Sequence, residues 1–113
     1  MATFYIAIEG KGGHSSEPQK TIDPVMIASE LSSALNLIIP REVNPDIFAT
    51  LTVGLIKSGT ASNIIPGTAE MAISIRTLDP DVYDYLLKRV PEVANGYITA
   101  WRGKYKLRIH KTP

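Results

Sequence analysis

E-M-A-I-S-I-R-T-L-D-P, Glu70 to Pro80, places a strand and the start of a helix within one short segment. Met71, Ile73 and Ile75 alternate with Glu70, Ser74 and Arg76, the period of two expected of a half-buried strand. Asp79 then stands where a helix N-cap accepts free backbone N–H groups. Pro80 suits the first helical position, where its missing N–H has no partner to lose. The same Asp-Pro start occurs at Asp23 and Pro24. Behind it Val25, Ala28, Leu31, Leu35 and Ile38 recur at helical spacing, and Pro40 is expected to stop that helix. The second helix should carry Val82, Leu86, Val90, Val93, Tyr97 and Trp101 on its apolar side, with a kink or break at Pro91.

Three further strands flank these helices. Phe4, Ile6 and Ile8 alternate with Tyr5, Ala7 and Glu9, and Ile47 to Ile56 alternates again with β-branched Thr50, Thr52 and Val53. After Gly103, Tyr105, Leu107 and Ile109 fall on one side and Lys104, Lys106, Arg108 and His110 on the other. The order β-α-β-β-α-β predicts an α+β fold, the ferredoxin-like sandwich: four antiparallel strands with two helices on one face, in one domain spanning residues 1–113. The first and third strands should be central. Of the two edges, the fourth strand is protected by alternating Lys and Arg, whereas Ala49 to Gly54 has no charge and is open to a partner strand. A homodimer joined through that edge is one reading; coverage by a neighbouring domain or by the Arg41 to Pro45 loop is the other.

Composition narrows the function classes. Twelve Lys plus Arg against eleven Asp plus Glu leave no global field to favour nucleic acid or a membrane surface. The basic face of the last strand lacks the interleaved aromatics of a nucleic-acid platform. With no cysteine there is no disulfide scaffold or thiolate metal site. No apolar run reaches the length of a membrane span and the N-terminus does not resemble a secretory signal, so a soluble, cytoplasmic setting is expected.

Two polar stretches follow strands: G-K-G-G-H-S-S-E-P, Gly10 to Pro18, and G-T-A-S-N-I-I-P, Gly59 to Pro66. Glycines let the first bend tightly and approach a ligand. His14 within it is either a turn stabiliser or a hydrogen-bond donor to a developing oxyanion. Asn63 either closes an Asx-turn before Pro66 or holds a substrate carbonyl or carboxylate. Arg76 either pairs with Glu70 or Glu9 or forks onto a substrate carboxylate. Ser15 and Ser16 lack a base and an orienting acid, so they read as turn hydroxyls rather than nucleophiles.

These stretches, together with T-I-D-P at Thr21 to Pro24 and I-R-T-L-D-P at Ile75 to Pro80, carry a resemblance. The whole chain resembles the smaller lid, or dimerisation, domain of the zinc-dependent amidohydrolases and carboxypeptidases, a family that includes aminoacylases, hippurate hydrolases, glutamate carboxypeptidases and succinyl-diaminopimelate desuccinylases. Gln19 departs from it, because many relatives have a histidine there. The resemblance implies two zinc ions in a catalytic domain that this chain lacks, with no metal held here, since there is no H-x-D pair and only His14 and His110 are present. It implies that His14 stabilises the oxyanion in the partner subunit's site, that Asn63 and Gly13 lie against an N-acyl amino acid or peptide substrate, and that Arg76 holds its carboxylate. The isolated chain should then be inert. The alternative is a free-standing ferredoxin-like module that binds a ligand or assembles.

Overall fold

The computed structural model describes all 113 residues, Met1 to Pro113. In chain order the elements are β1 (Ala2–Glu9), β2 (Gly13–His14), a single 3-10 turn (Pro18–Lys20), α1 (Pro24–Leu35), α2 (Ile38–Glu42), β3 (Ala49–Lys57), β4 (Ile64–Ile65), β5 (Thr68–Thr77), α3 (Pro80–Ala100) and β6 (Lys104–Lys111). The main sheet has the order β3-β5-β1-β6, every pairing antiparallel, and β2 with β4 forms a separate two-stranded sheet. This is the expected ferredoxin-like α+β arrangement, with the first and third long strands central and the other two at the edges. No helix is long and apolar enough to cross a membrane.

The caps anticipated from sequence form. Asp23 Oδ1 accepts from Val25 N at 2.9 Å and Met26 N at 3.3 Å, and Asp79 Oδ1 accepts from Val82 N at 2.9 Å. Between sheet and helices lies one cluster of seventeen buried apolar residues. It contains Phe4, Ile6 and Ile8 of β1, Met71, Ile73 and Ile75 of β5, and Ile27, Leu31 and Leu35 of α1.

Pro40 does not act as the stop of the first helix, and of the kink or break expected at Pro91 the break does not occur. Helix α1 ends at Leu35, five residues before Pro40, and Pro40 sits in the first turn of α2. A proline at 40 would clash with the carbonyl of Asn36 in a continuous helix, but in a new first turn its missing N–H costs nothing. Ile38 therefore belongs to α2, and Val25 is exposed rather than part of the buried stripe. Pro91 does not break α3, which is helical from Pro80 to Ala100. Burial of Leu86, Val90, Ala94 and Ile98, at about 1.5–3 kcal/mol for each large side chain, outweighs the roughly 3 kcal/mol cost of an interior proline. The stripe beyond Pro91 steps by four through Ala94 and Ile98, leaving Tyr97 and Trp101 exposed and Val93 half-buried.

In β3 the register shifts between Val53 and Leu55, a bulge with Gly54 as the extra residue. Leu51 and Val53 face the helices opposite Ile75 and Ile73. Past the bulge Leu55 lies opposite Ala72 and points to the open face of the sheet.

Helix α2 is held to α3 by one carboxylate. Glu42 accepts from Tyr85 Oη at 2.6 Å and from Arg89 Nε at 2.8 Å and Nη2 at 3.2 Å. The Arg89 guanidinium, and then the Tyr85 hydroxyl, hold the Glu42 carboxyl below its usual value. A depressed carboxyl stabilises the fold above the unfolded-state value, and that contribution is lost as pH falls through the folded-state value. Glu42→Gln should therefore lower the thermal midpoint at pH 7, and the gap to the parent chain should close below about pH 4, near the ordinary glutamate value. Paired melts across that range measure it.

Candidate functional site

The direction of the strands decides where each candidate residue lies. β1 ends at Glu9 opposite Thr68, where β5 begins, so the loops after β1 and before β5 leave the sheet from the same end. They continue together beyond it. Gly10 N donates to Gly67 O at 2.8 Å, Gly13 pairs with Ile65 and His14 with Ile64, and Ser15 N donates to Asn63 O at 3.1 Å. The molecule measures 48 Å along its long axis, whereas a ten-residue strand spans only about 33 Å. The β2–β4 ribbon is what projects past the sheet.

His14 and Asn63 are thus neighbours on the tip of this ribbon, both exposed. Ser16 N donates to His14 Nδ1 at 3.0 Å. A backbone N–H can only donate, so Nδ1 must carry a lone pair and the ring proton sits on Nε2, leaving Nε2–H as a donor for another molecule. The Asn63 side chain makes no hydrogen bond, and the Asx-turn that would explain it as a turn residue is absent. Its carboxamide keeps both donor and acceptor available. Gln19 lies in the exposed 3-10 turn beside this loop, at its rim.

Glycine is required at some of these positions. A Cβ on Gly12 would approach Ile65 O to 2.6 Å, and Gly59 has φ +84°. Gly13 is limited by Thr21 Cγ2 at 2.9 Å, whereas Gly67 has no close neighbour and an ordinary φ, so backbone shape does not demand glycine there. Two depressions flank the ribbon. One, of about 260 Å³, is lined by His14, Gly13, Lys11, Lys20, Glu17 and Thr21; the other, of about 490 Å³, lies between Ser15, the Ser58 to Pro66 loop and the start of α1.

Arg76 is elsewhere. It is opposite Thr50, one residue before the end of β5, about 26 Å along the strand from Thr68. It is exposed and unpaired, because the ion pairs of the chain are Lys20–Glu17, Arg89–Glu42 and Arg89–Glu92. Glu70 shares its face but is six residues away, and Glu9 is at the far end of β1. Met1 and Thr112 also meet at the Arg76 end, with Thr112 N donating to Met1 O at 2.9 Å, so any flanking chain enters and leaves there. Leu78 is 99% exposed at that end and Phe48 is 71% exposed, the largest apolar exposures of the molecule.

The residues do not suit a metal centre. No three of His, Cys, Asp or Glu come together in a way that could hold an ion, and His110, opposite Thr3, is most of a sheet length from His14. Sequence reasoning did not find the β2–β4 pairing that joins His14 to Asn63. Its only local trace is the glycine at position 12, whose need becomes visible once Ile65 is known to lie beside it.

Gly12→Ala should therefore push the ribbon apart while leaving the core intact. Amide exchange at Gly13, Ser15 and Ile65, the amides directed across the ribbon, should accelerate at least tenfold, about 1.4 kcal/mol of local opening, with the exchange of the Ile73 and Ile75 amides unchanged.

Residues 1–98 match the family model described as the peptidase dimerisation domain. N-acetyl-L-cysteine deacetylase of Bacillus subtilis is 37% identical over 110 residues, covering 97% of this chain and 26% of the deacetylase. Thermostable carboxypeptidase 1 of Saccharolobus solfataricus is 36% identical over 119 residues, covering 99% of this chain and 30% of the carboxypeptidase. The chain thus spans under a third of the length of these relatives. Among solved structures, the aminobenzoyl-glutamate utilization protein of Klebsiella pneumoniae superposes with a TM-score of 0.84 at 23% identity, covering 96% of this chain and 28% of that one. The fold is therefore shared by a protein whose sequence has largely diverged. The chain belongs to the peptidase dimerisation domain family of hydrolases that includes deacetylases and carboxypeptidases.

Proposed function

We propose that this chain is the dimerisation and substrate-binding lid of a hydrolase that cleaves the amide bond of N-acyl amino acids or small peptides. The observation that carries the reading is the separation of His14 and Asn63 from Arg76 by most of the sheet, with an unpaired strand edge beside them. No single copy can bring these three side chains onto one small substrate.

A second copy can. From Ala49 to Val53 the outer edge of β3 is free, uncharged and uninterrupted until the bulge at Gly54. Two such edges paired antiparallel about a two-fold axis join the two four-stranded sheets into one and reverse the second copy end for end. The ribbon of one copy then lies at the same end as Arg76 of the other. The two β5 strands are three strand spacings apart, about 14 Å, a gap that the ribbon and a dipeptide-sized substrate span together.

Chain entry and exit at the Arg76 end complete the arrangement. A catalytic domain attached there has its own Arg76 close by and receives His14 and Asn63 from the other subunit. The exposed Leu78 and Phe48 are placed to be covered by that domain. In such a site Arg76 forks onto the substrate carboxylate, Asn63 orients the amide, and His14 Nε2–H donates to the carbonyl oxygen as it gains charge. The metal chemistry implied by the resemblance would be supplied by the catalytic domain. The chain alone then has no route to hydrolysis.

The roles separate kinetically. In the intact hydrolase His14→Ala should lower kcat by about 10²–10³ with little change in KM, as loss of an oxyanion donor does. Arg76→Ala should chiefly raise KM for substrates with a free carboxylate and have little effect on their carboxamide analogues. Steady-state kinetics on matched acid and amide substrates decide it. An unchanged kcat in the His14 variant, or an equal KM penalty on both substrates in the Arg76 variant, would remove the proposed roles.

A further inference from the structure

The open face of the sheet carries a depression that the reading above does not use. Cross-strand register sets two adjacent rows there: Leu55, Ala72, Tyr5 and Arg108, and beside them Lys57, Glu70, Ala7 and Lys106. Ala7 and Ala72 contribute only methyl groups, so the surface sinks between Leu55, Tyr5 and the two cations of β6. The hollow has a volume of about 440 Å³. Sites for small molecules usually measure about 300–1,000 Å³.

Its apolar wall depends on the bulge. Continuous pairing would send Leu55 to the helix side with Leu51 and Val53; the extra residue Gly54 turns it outward opposite Ala72. A Cβ at Gly54 would meet nothing within 4 Å, so packing does not explain this feature.

Charge selects the ligand. This face presents Lys57, Arg76, Lys104, Lys106 and Arg108 against Glu9 and Glu70, so it attracts anions although the chain as a whole is almost neutral. The Arg108 guanidinium lies 3.9 Å above the centre of the Tyr5 ring. Stacking holds the group in place without using its N–H fork, so a carboxylate could bind with less ordering cost than on a free side chain. Size argues against a protein partner, since Leu55, one ring and two methyls fall far short of the roughly 800 Å² per side of a stable interface.

We propose that this hollow is a second binding site, for a small carboxylate with an apolar body, the carboxylate on Arg108 and Lys106 and the body over Ala7 and Ala72 against Leu55. It is separate from the ribbon and from Arg76, and it does not depend on the hydrolase reading.

Hexanoate titrated into the ¹⁵N-labelled 113-residue chain tests it, with hexanamide and polyglutamate as controls. Saturable amide shifts at Ala7, Leu55 and Ala72 are expected with hexanoate. Affinity should fall about tenfold with hexanamide or in Arg108→Gln, the loss of one charge-assisted contact. Ala72→Leu, which fills the hollow, should abolish the shifts; if that variant misfolds, Arg108→Gln still decides. The proposal is overturned by absence of a saturable response, by equal responses to hexanoate and hexanamide, or by shifts confined to the ribbon. It is likewise overturned if the same amides move with protein concentration alone, which assigns the face to a second copy, or respond only to polyglutamate, which assigns it to an acidic peptide.

Discussion

Antiparallel pairing of β1 with β5, with Glu9 opposite Thr68, is the constraint on which the rest of the molecule depends. It sends both glycine-containing loops out of the same end of the sheet, where two residues of each can pair as a ribbon. It also commits the other end of β5, with Arg76, to the side where the chain begins and ends. Four hydrogen-bonded strands packed on a close-packed core do not fold over to bring those ends together. A site that draws on both ends must be completed by another molecule, and the free edge of β3 offers a symmetric way to supply one.

The core and the candidate sites follow opposite rules. Every buried side-chain polar atom has a partner, and the buried cluster is apolar throughout. At the ribbon tip and at Arg76 the polar groups are exposed and unspent: Asn63 makes no side-chain hydrogen bond, Arg76 has no ion pair, and His14 is oriented by Ser16 with one donor left over. That division suits a domain whose stability is internal and whose chemistry is completed by neighbours. The Glu42 link between α2 and α3 lies on the helix side, apart from both.

Much of the fold was legible in the sequence because its signals are local. Alternation in Phe4 to Glu9 and in Glu70 to Arg76, and the two Asp-Pro caps, each lie within one element and need no knowledge of the rest. Pro40 and Pro91 were less legible, since the effect of a proline depends on its place in the turn and on what the flanking residues bury. The bulge at Gly54 was not legible at all. Strict alternation puts Leu51, Val53 and Leu55 on one face, and only the pairing with β5 shows that the third faces the other way. For the site, His14 and Asn63 were evident as candidates, but their adjacency rests on a two-residue ribbon between segments about fifty positions apart. The distance of Arg76 from them required the strand order.

The central claim, that one site takes His14 and Asn63 from one subunit and Arg76 from the other, is tested most directly by mixing two impaired variants of the intact hydrolase and assaying a carboxylate substrate far below its KM, where each variant alone turns over little. A dimer of one His14→Ala subunit and one Arg76→Ala subunit contains one site with both substitutions and one with neither. After dissociation and reassociation of equal amounts, half the dimers are mixed and half the sites within them are complete, so activity should recover to about a quarter of the parent enzyme on statistical exchange. Recovery near that level is the result this account predicts. No recovery, with subunit exchange verified independently, would mean that all three residues act from the same subunit and would contradict it.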